Sequence, residues 1–236
     1  MDLCRLGKLV RKGAYMRTNR RKMMRKILPN MYERLKYVDN GEDSFGSDAL
    51  IYQVPFILTD IIASKDTIIS LDIAIKYFKK GDFGYNMVGS YSPENYNIVY
   101  FIGTTFDMKI EFSYYSKNGT NVRLLTEGKY EDRKRIRITT DMSNSSLTVD
   151  FGNGNVERRF GLPAREINIK KQISILTVTP YLPPFCRLYG SEIYQQNVLV
   201  CKLIPAKRRL DGVIGMYDAI GGKFYTSHNN LAFIGG

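Results

Sequence analysis

The single histidine, His228, stands in the stretch TSHNN (226–230). An imidazole suits proton transfer near neutral pH, but that work needs a partner group and a pocket. Ser227, Asn229 and Asn230 beside it describe an exposed loop instead, and no Ser–His–Asp set assembles at a defensible spacing. Paired carboxylates could flank a glycosidic bond. Glu127, Glu131 and Asp132 fall close together, but among Lys129, Arg133, Lys134 and Arg135, the composition of a solvated charged turn. The chain is therefore not expected to be an enzyme. Calcium would need several oxygens converging from loops. Asp150, Asn153 and Asn155 around GNGN, or Asp82 with Asn86, could supply them, yet turn chemistry accounts for both groups. No cofactor is expected, with calcium the one left open.

Sugar binding would rest on exposed aromatics beside Asn, Asp or Arg donors. Tyr85, Tyr91, Tyr96, Tyr114, Tyr115 and Tyr194 are candidates, but seventeen tyrosines without a tryptophan also suit the half-buried positions of a β-sandwich. No glycan site is singled out among them. Cys4, Cys186 and Cys201 are too few and too scattered for a disulfide framework or a metal site. Cys186 and Cys201 could pair on neighbouring strands, but reduced core cysteines are the expected reading.

The elements that would carry these residues are strands. In TIISLDIAIKYF (67–78), Ile69, Leu71, Ile73, Ile75 and Tyr77 alternate with Ser70, Asp72, Ala74 and Lys76, the period of a strand with one buried face. MKIEFSYY (108–115) repeats it with Ile110, Phe112 and Tyr114. RIRITTDMSNSSLTVDFG (135–152) reads as a hairpin whose loop runs from Asp141 to Ser146. Further strands are expected at 97–105, 121–128, 171–179, 187–196 and 198–206, with turn signals KKGD, SPEN, KNGT and GNGN between strands. Many short strands punctuated in this way describe an all-β sandwich or jelly roll, whose strand order one sequence does not reveal.

The net charge of +12 divides unevenly. Arg5, Lys8, Arg11, Lys12, Arg17, Arg20, Arg21, Lys22, Arg25 and Lys26 face only Asp2 in residues 1–30, so +9 belongs to an arm and +3 to the other 206 residues. Basic residues interrupt the arm too often for a signal peptide, and no apolar run reaches a membrane span, so neither secretion nor a membrane partner is expected. Leu3, Leu6, Leu9 and Val10 follow helical spacing, interrupted by Gly7 and Gly13. A purely electrostatic arm has no use for those leucines, which argues for docking into a groove on a partner over phosphate binding alone. Pro29 marks the entry to a domain at 31–236, in which EDSFGSD (42–48) reads as a surface loop.

The chain finishes in LIPAKRRLDGVIGMYDAIGGKFYTSHNNLAFIGG (203–236). Apolar residues on both faces of 198–204 suit a strand inside a sandwich. Pro205 should stop that ladder by removing a donor. Asp211-Gly212 and Gly221-Gly222 allow tight turns, and Met216-Tyr217 with Phe224-Tyr225 supply the rungs of a closing hairpin. The ending resembles that of laminin-G-like, concanavalin A-like jelly-roll proteins from gut bacteria and their tailed phages, with the phrase IPA-basic-x-x-DGVIG-x-YD…KFYT…G. RLYGSEIY (187–194) resembles the preceding strand of that group, and MRKILPNMYERLKYV (24–38) its opening. DNGEDSFGSDALIYQVPFILTD (39–60) replaces the family's next phrase, and Met16, Met23 and Met24 are each candidate internal starts.

What the resemblance implies is a concanavalin A-like sandwich serving as a structural or adhesion module. The expected setting is the virion, as a head fibre, decoration or tail appendage, assembled in the host cytoplasm. Its expected partners are capsid or tail proteins held by the arm, a cell-surface glycan, and further copies of itself. A free-standing bacterial carbohydrate-binding protein and a nucleic-acid-associated protein are the alternatives.

Overall fold

A computed structural model describes residues 31–41, 54–76, 85–92, 97–115, 121–152, 154–161, 172–176 and 185–236, with the backbone alone at 85, 91–92, 97–101, 115 and 121. The expected arm (1–30), Cys4 and the 42–48 loop lie outside these residues. The described elements are strands in two antiparallel sheets.

The larger sheet is centred on β4 (Thr67–Lys76) and β13 (Phe185–Gln195). Outward from β4 come β9 (Arg135–Asp141), β10 (Ser146–Asp150) and the edge strand β11 (Val156–Phe160). Outward from β13 come β14 (Val198–Arg208), β15 (Ile214–Asp218) and β16 (Phe224–Tyr225). Three short strands complete it: β1 (Tyr32–Arg34) on β14, and β2 (Val38–Asp39) between β13 and β17 (Ile234–Gly235). The smaller sheet runs β3 (Ile57–Ile62), β12 (Gln172–Ile175), β5 (Tyr85–Ser92), β6 (Asn97–Thr104), β7 (Lys109–Tyr115) and β8 (Asn121–Lys129).

The connectivity is that of a jelly roll. β3 and β4 are consecutive but lie in different sheets, as are β12 and β13, and β3 pairs with β12 while β4 pairs with β13. A ribbon drawn from two distant parts of the chain is thus folded across both layers. Alternation sets which side faces in. Ile69, Leu71, Ile73 and Ile75 from β4 meet Ile136, Ile138, Leu147 and Val149 of their own sheet and Ile110, Phe112 and Tyr114 of the other. Burying each such side chain stabilises the fold by about 1.5–3 kcal/mol.

The expected hairpin at 135–152 is present, with Ser146 paired to Asp141. The closing hairpin is present too, Met216 opposite Tyr225 and Tyr217 opposite Phe224, with Gly212 and Gly222 at φ +73° and +76°. Two expectations need correction. The strand expected at 171–179 leaves its ladder after Ile175, where Leu176 turns to φ +79° and donates its N–H to Met87 O at 2.7 Å; residues 171 and 177–179 lie outside the described residues. Pro205 does not end its strand, which runs on to Arg208. Arg208 N–H donates to Val213 O on the β15 side, so the period of two points the missing donor of Pro205 the other way. There β13 pairing ends at Leu203 and β1 pairing begins at Ala206, so no ladder bond is lost.

The edges of the two sheets are joined at β8 and β11. Glu157 accepts the Glu127 and Gly128 N–H groups at 2.7 and 2.9 Å and Arg159 Nε at 2.7 Å.

Candidate functional site

Among the described residues the sequence candidates do not converge. His228 is exposed, its N–H donating to Phe56 O and its ring 5.3 Å from that of Phe56. Glu127, Glu131 and Asp132 are exposed and ion-paired with Arg159, Lys134 and Arg133. Asp150 accepts Gly152 N–H at 2.8 Å and Asn155 closes the same turn. Among the described residues no group of three His, Cys, Asp or Glu could hold a metal; Asp82 and Asn153 lie outside them. Tyr114, proposed for sugar contact, is instead fully buried, its hydroxyl 2.5 Å from Ser145 Oγ. Tyr96 and the side chains of Tyr85, Tyr91 and Tyr115 lie outside the description. Cys186 and Cys201 are free and buried, and burial pushes both thiols well up. The basic and leucine residues of the arm lie outside the described residues.

What the fold does bring together is the outer face of the larger sheet. Wherever an apolar side chain points into the core, its strand neighbour points out. Arg135 and Arg137 flank Ile136, Ser70 and Asp72 flank Leu71, and Lys202 lies between Cys201 and Leu203. The pairings Asp72↔Arg137 and Glu192↔Lys202 set these strands side by side. They surround a hollow of about 240 Å³, walled also by Arg34 and Tyr189.

A bulge in β13 shapes it. Leu188 pairs with Ile73 and Gly190 with Asp72, leaving Tyr189 as the extra residue. Leu188 and Ile193 both face the core, an odd spacing that a regular strand cannot satisfy, so Tyr189 and Gly190 both open outward. A Cβ on Gly190 would stand 3.3 Å from Leu203 O.

One aromatic ring, that of Tyr189, lines it. Arg135 Cζ sits 4.3 Å from the Tyr189 ring centre, Tyr37 meets Tyr189 edge-on at 5.6 Å, and Arg187 lies 4.9 Å over Tyr37. A second aromatic group stands outside the lining, beyond Ile204, which pairs with Tyr217: Tyr32 stacks on Phe224 at 5.1 Å and contacts Tyr217 at 4.8 Å, with Arg208 5.4 Å over Phe224. The carboxylates of the hollow are engaged. Asp72 takes two 2.6 Å bonds from Arg135. Glu192 accepts Lys202 Nζ at 2.5 Å and the Tyr194 hydroxyl at 2.8 Å. The lysine bond, helped by the Tyr194 hydroxyl, holds the Glu192 carboxyl below its ordinary range, and the bond that Tyr194 donates to Glu192 raises the Tyr194 phenol. A Glu192 carboxyl held down in this way is not set up to take a proton near neutral pH. Of the six tyrosines singled out in the sequence, only Tyr194 borders this face with a described side chain.

No family model matches the chain, and no curated protein is similar to it in sequence. Solved structures do share its general architecture. A heptameric SAP-like pentraxin from Limulus polyphemus aligns with a TM-score of 0.45 and 7% identity, over 67% of this chain and 76% of that one. A Bacillus licheniformis β-glucanase aligns at 0.40 and 8%, over 70% and 98%. Tailspike protein 2 of the Escherichia coli O157:H7 bacteriophage CAB120 aligns at 0.44 and 10%, over 70% of this chain but 26% of the tailspike. At TM-scores below 0.5 none of them bears on what this chain binds.

Proposed function

We propose that this protein is a non-enzymatic adhesion module that binds a glycan on the outer face of its larger sheet. The observation that carries this reading is the 240 Å³ hollow, which sets hydrogen-bonding side chains beside the Tyr189 ring while its carboxylates are held by cations. Sugar rings need that combination: apolar rims for their C–H faces and fixed polar groups for their hydroxyls. The full chain should retain at least one member of an immobilised oligosaccharide panel. Tyr189→Ala, with an unchanged far-ultraviolet spectrum, should weaken that retention by about tenfold or more, the cost of a lost aromatic anchor. A blank panel, or equal binding by the variant, would refute the reading.

We further propose that the module belongs to a tailed-phage particle and is anchored there by residues 1–30. The support is the resemblance of the C-terminal phrase and the charge split, +9 in the arm against +3 in the remainder. Full-length protein and a version starting at Met24 should be compared on purified particle proteins and on DNA at two salt concentrations. Arm-dependent capture of a capsid or tail protein at moderate salt supports the anchor. Capture of DNA alone, lost as salt rises, assigns the arm to nucleic acid instead.

A further inference from the structure

We infer that the outer-face hollow selects an acidic saccharide, one carrying carboxylate or sulfate groups, and that Arg34 and Arg137 read its charge. This rests on the glycan-binding reading above and adds the class of sugar.

The inference comes from accounting for charge in the hollow. Four cations line it, Arg34, Arg135, Arg137 and Lys202, against two carboxylates, Asp72 and Glu192. Both carboxylates are committed, Asp72 to Arg135 through two parallel bonds and Glu192 to Lys202. Arg137 lies directly across the ladder from Asp72 on one side and Asp150 on the other, yet it forms an ion pair with neither. Asp72 is turned to Arg135, and Asp150 is turned into its own loop by Gly152 N–H. Arg137 acts on Glu192 only through its field, helping to hold that carboxyl down. Arg34 likewise has no carboxylate partner among the described residues.

Two guanidinium groups are therefore left over on opposite walls of one hollow. Each offers a planar fork of donors that matches a carboxylate or sulfate in two parallel bonds. A neutral sugar would use single hydroxyls and leave the excess charge unanswered. An anionic one neutralises it while its ring rests on Tyr189.

Calorimetric titration of the full chain separates the possibilities, using a neutral glucose tetrasaccharide, an oligouronate of the same length and its sulfated counterpart. The arm is retained in every variant, so its own attraction to anions cancels between wild type and variants. The expected result is binding of an acidic tetrasaccharide at least about tenfold tighter than the neutral one, with Arg137→Gln and Arg34→Gln each costing a similar factor, as for loss of a charged hydrogen bond. Arg137→Lys should recover only part of the loss, because the charge returns without the fork. Equal binding of neutral and acidic sugars, abolished by Tyr189→Ala, would overturn the charge selection and leave the glycan reading standing. Acidic binding that both glutamine variants keep, and that short DNA displaces, would assign the effect to the arm and overturn the inference. If no tetrasaccharide binds, the glycan reading falls and this inference with it.

Discussion

Glu157 does at the level of one carboxylate what a loop would otherwise have to do, because it satisfies two backbone donors of β8 from a strand in the other sheet. Burial pushes its carboxyl up, but the Glu127 and Gly128 N–H groups and Arg159 outweigh that, and the net pKa lies below its ordinary value of 4.5. A carboxylate depressed on folding stabilises the native state above its unfolded-state pKa and loses that contribution as pH falls through the folded-state value. Glu157→Gln should therefore lower stability by about 1–2 kcal/mol near pH 7, the usual cost of weakening charged hydrogen bonds to backbone. The gap between wild type and variant should close as the pH drops below 4.5, read from urea midpoints across a pH series. A gap that stays constant down to acid pH would show that the charge is not what matters.

Two glycines show how tightly the strands are laid together. A Cβ on Gly215 in β15 would fall 2.2 Å from Tyr225 O, on backbone that cannot swing aside. A Cβ on Gly190, in the bulge, would meet Leu203 O at 3.3 Å, close but open to a small shift. Gly215→Ala should cost at least about 3 kcal/mol and loosen the closing hairpin, whereas Gly190→Ala should cost about 1 kcal/mol. Denaturant midpoints at unchanged slope would check both. The alternation of β4, β7, β9 and β10 is plain in the sequence, and so are the hairpin turns, since period and turn residues are local properties. The bulge was legible only as an oddity of spacing, Leu188 to Ile193. Tyr114 carried its answer in the Ile110–Phe112–Tyr114 rhythm that makes it core, not surface. RIRI likewise announces that Arg135 and Arg137 point outward. That they meet Asp72, Glu192 and Tyr189 depends on which strands are neighbours, and such pairing joins residues far apart in the chain. For the same reason Pro205 read as a stop, when its missing donor falls where β14 exchanges one partner for another.

At the scale of the molecule, one packed core closes over both thiols. Cys186 and Cys201 are buried with their pKa values pushed up, so each is a poor nucleophile while the domain is folded. In a Cys4→Ser background a thiol reagent should label the native protein only as fast as it unfolds, and both cysteines promptly in denaturant. Rapid labelling without denaturant would mean that β13 or β14 opens on its own. The folded ribbon has a further consequence, in the time before the chain is complete. β3 and β4 leave the ribosome more than a hundred residues ahead of β12 and β13, the strands they pair with. At about 5–20 residues per second that gap lasts on the order of ten seconds. Throughout it the apolar face of β4 has no sheet to join on the β13 side. A nascent chain halted before Phe185 would lack the strand on which both halves of the larger sheet meet, and truncated products should be insoluble while the finished protein is not.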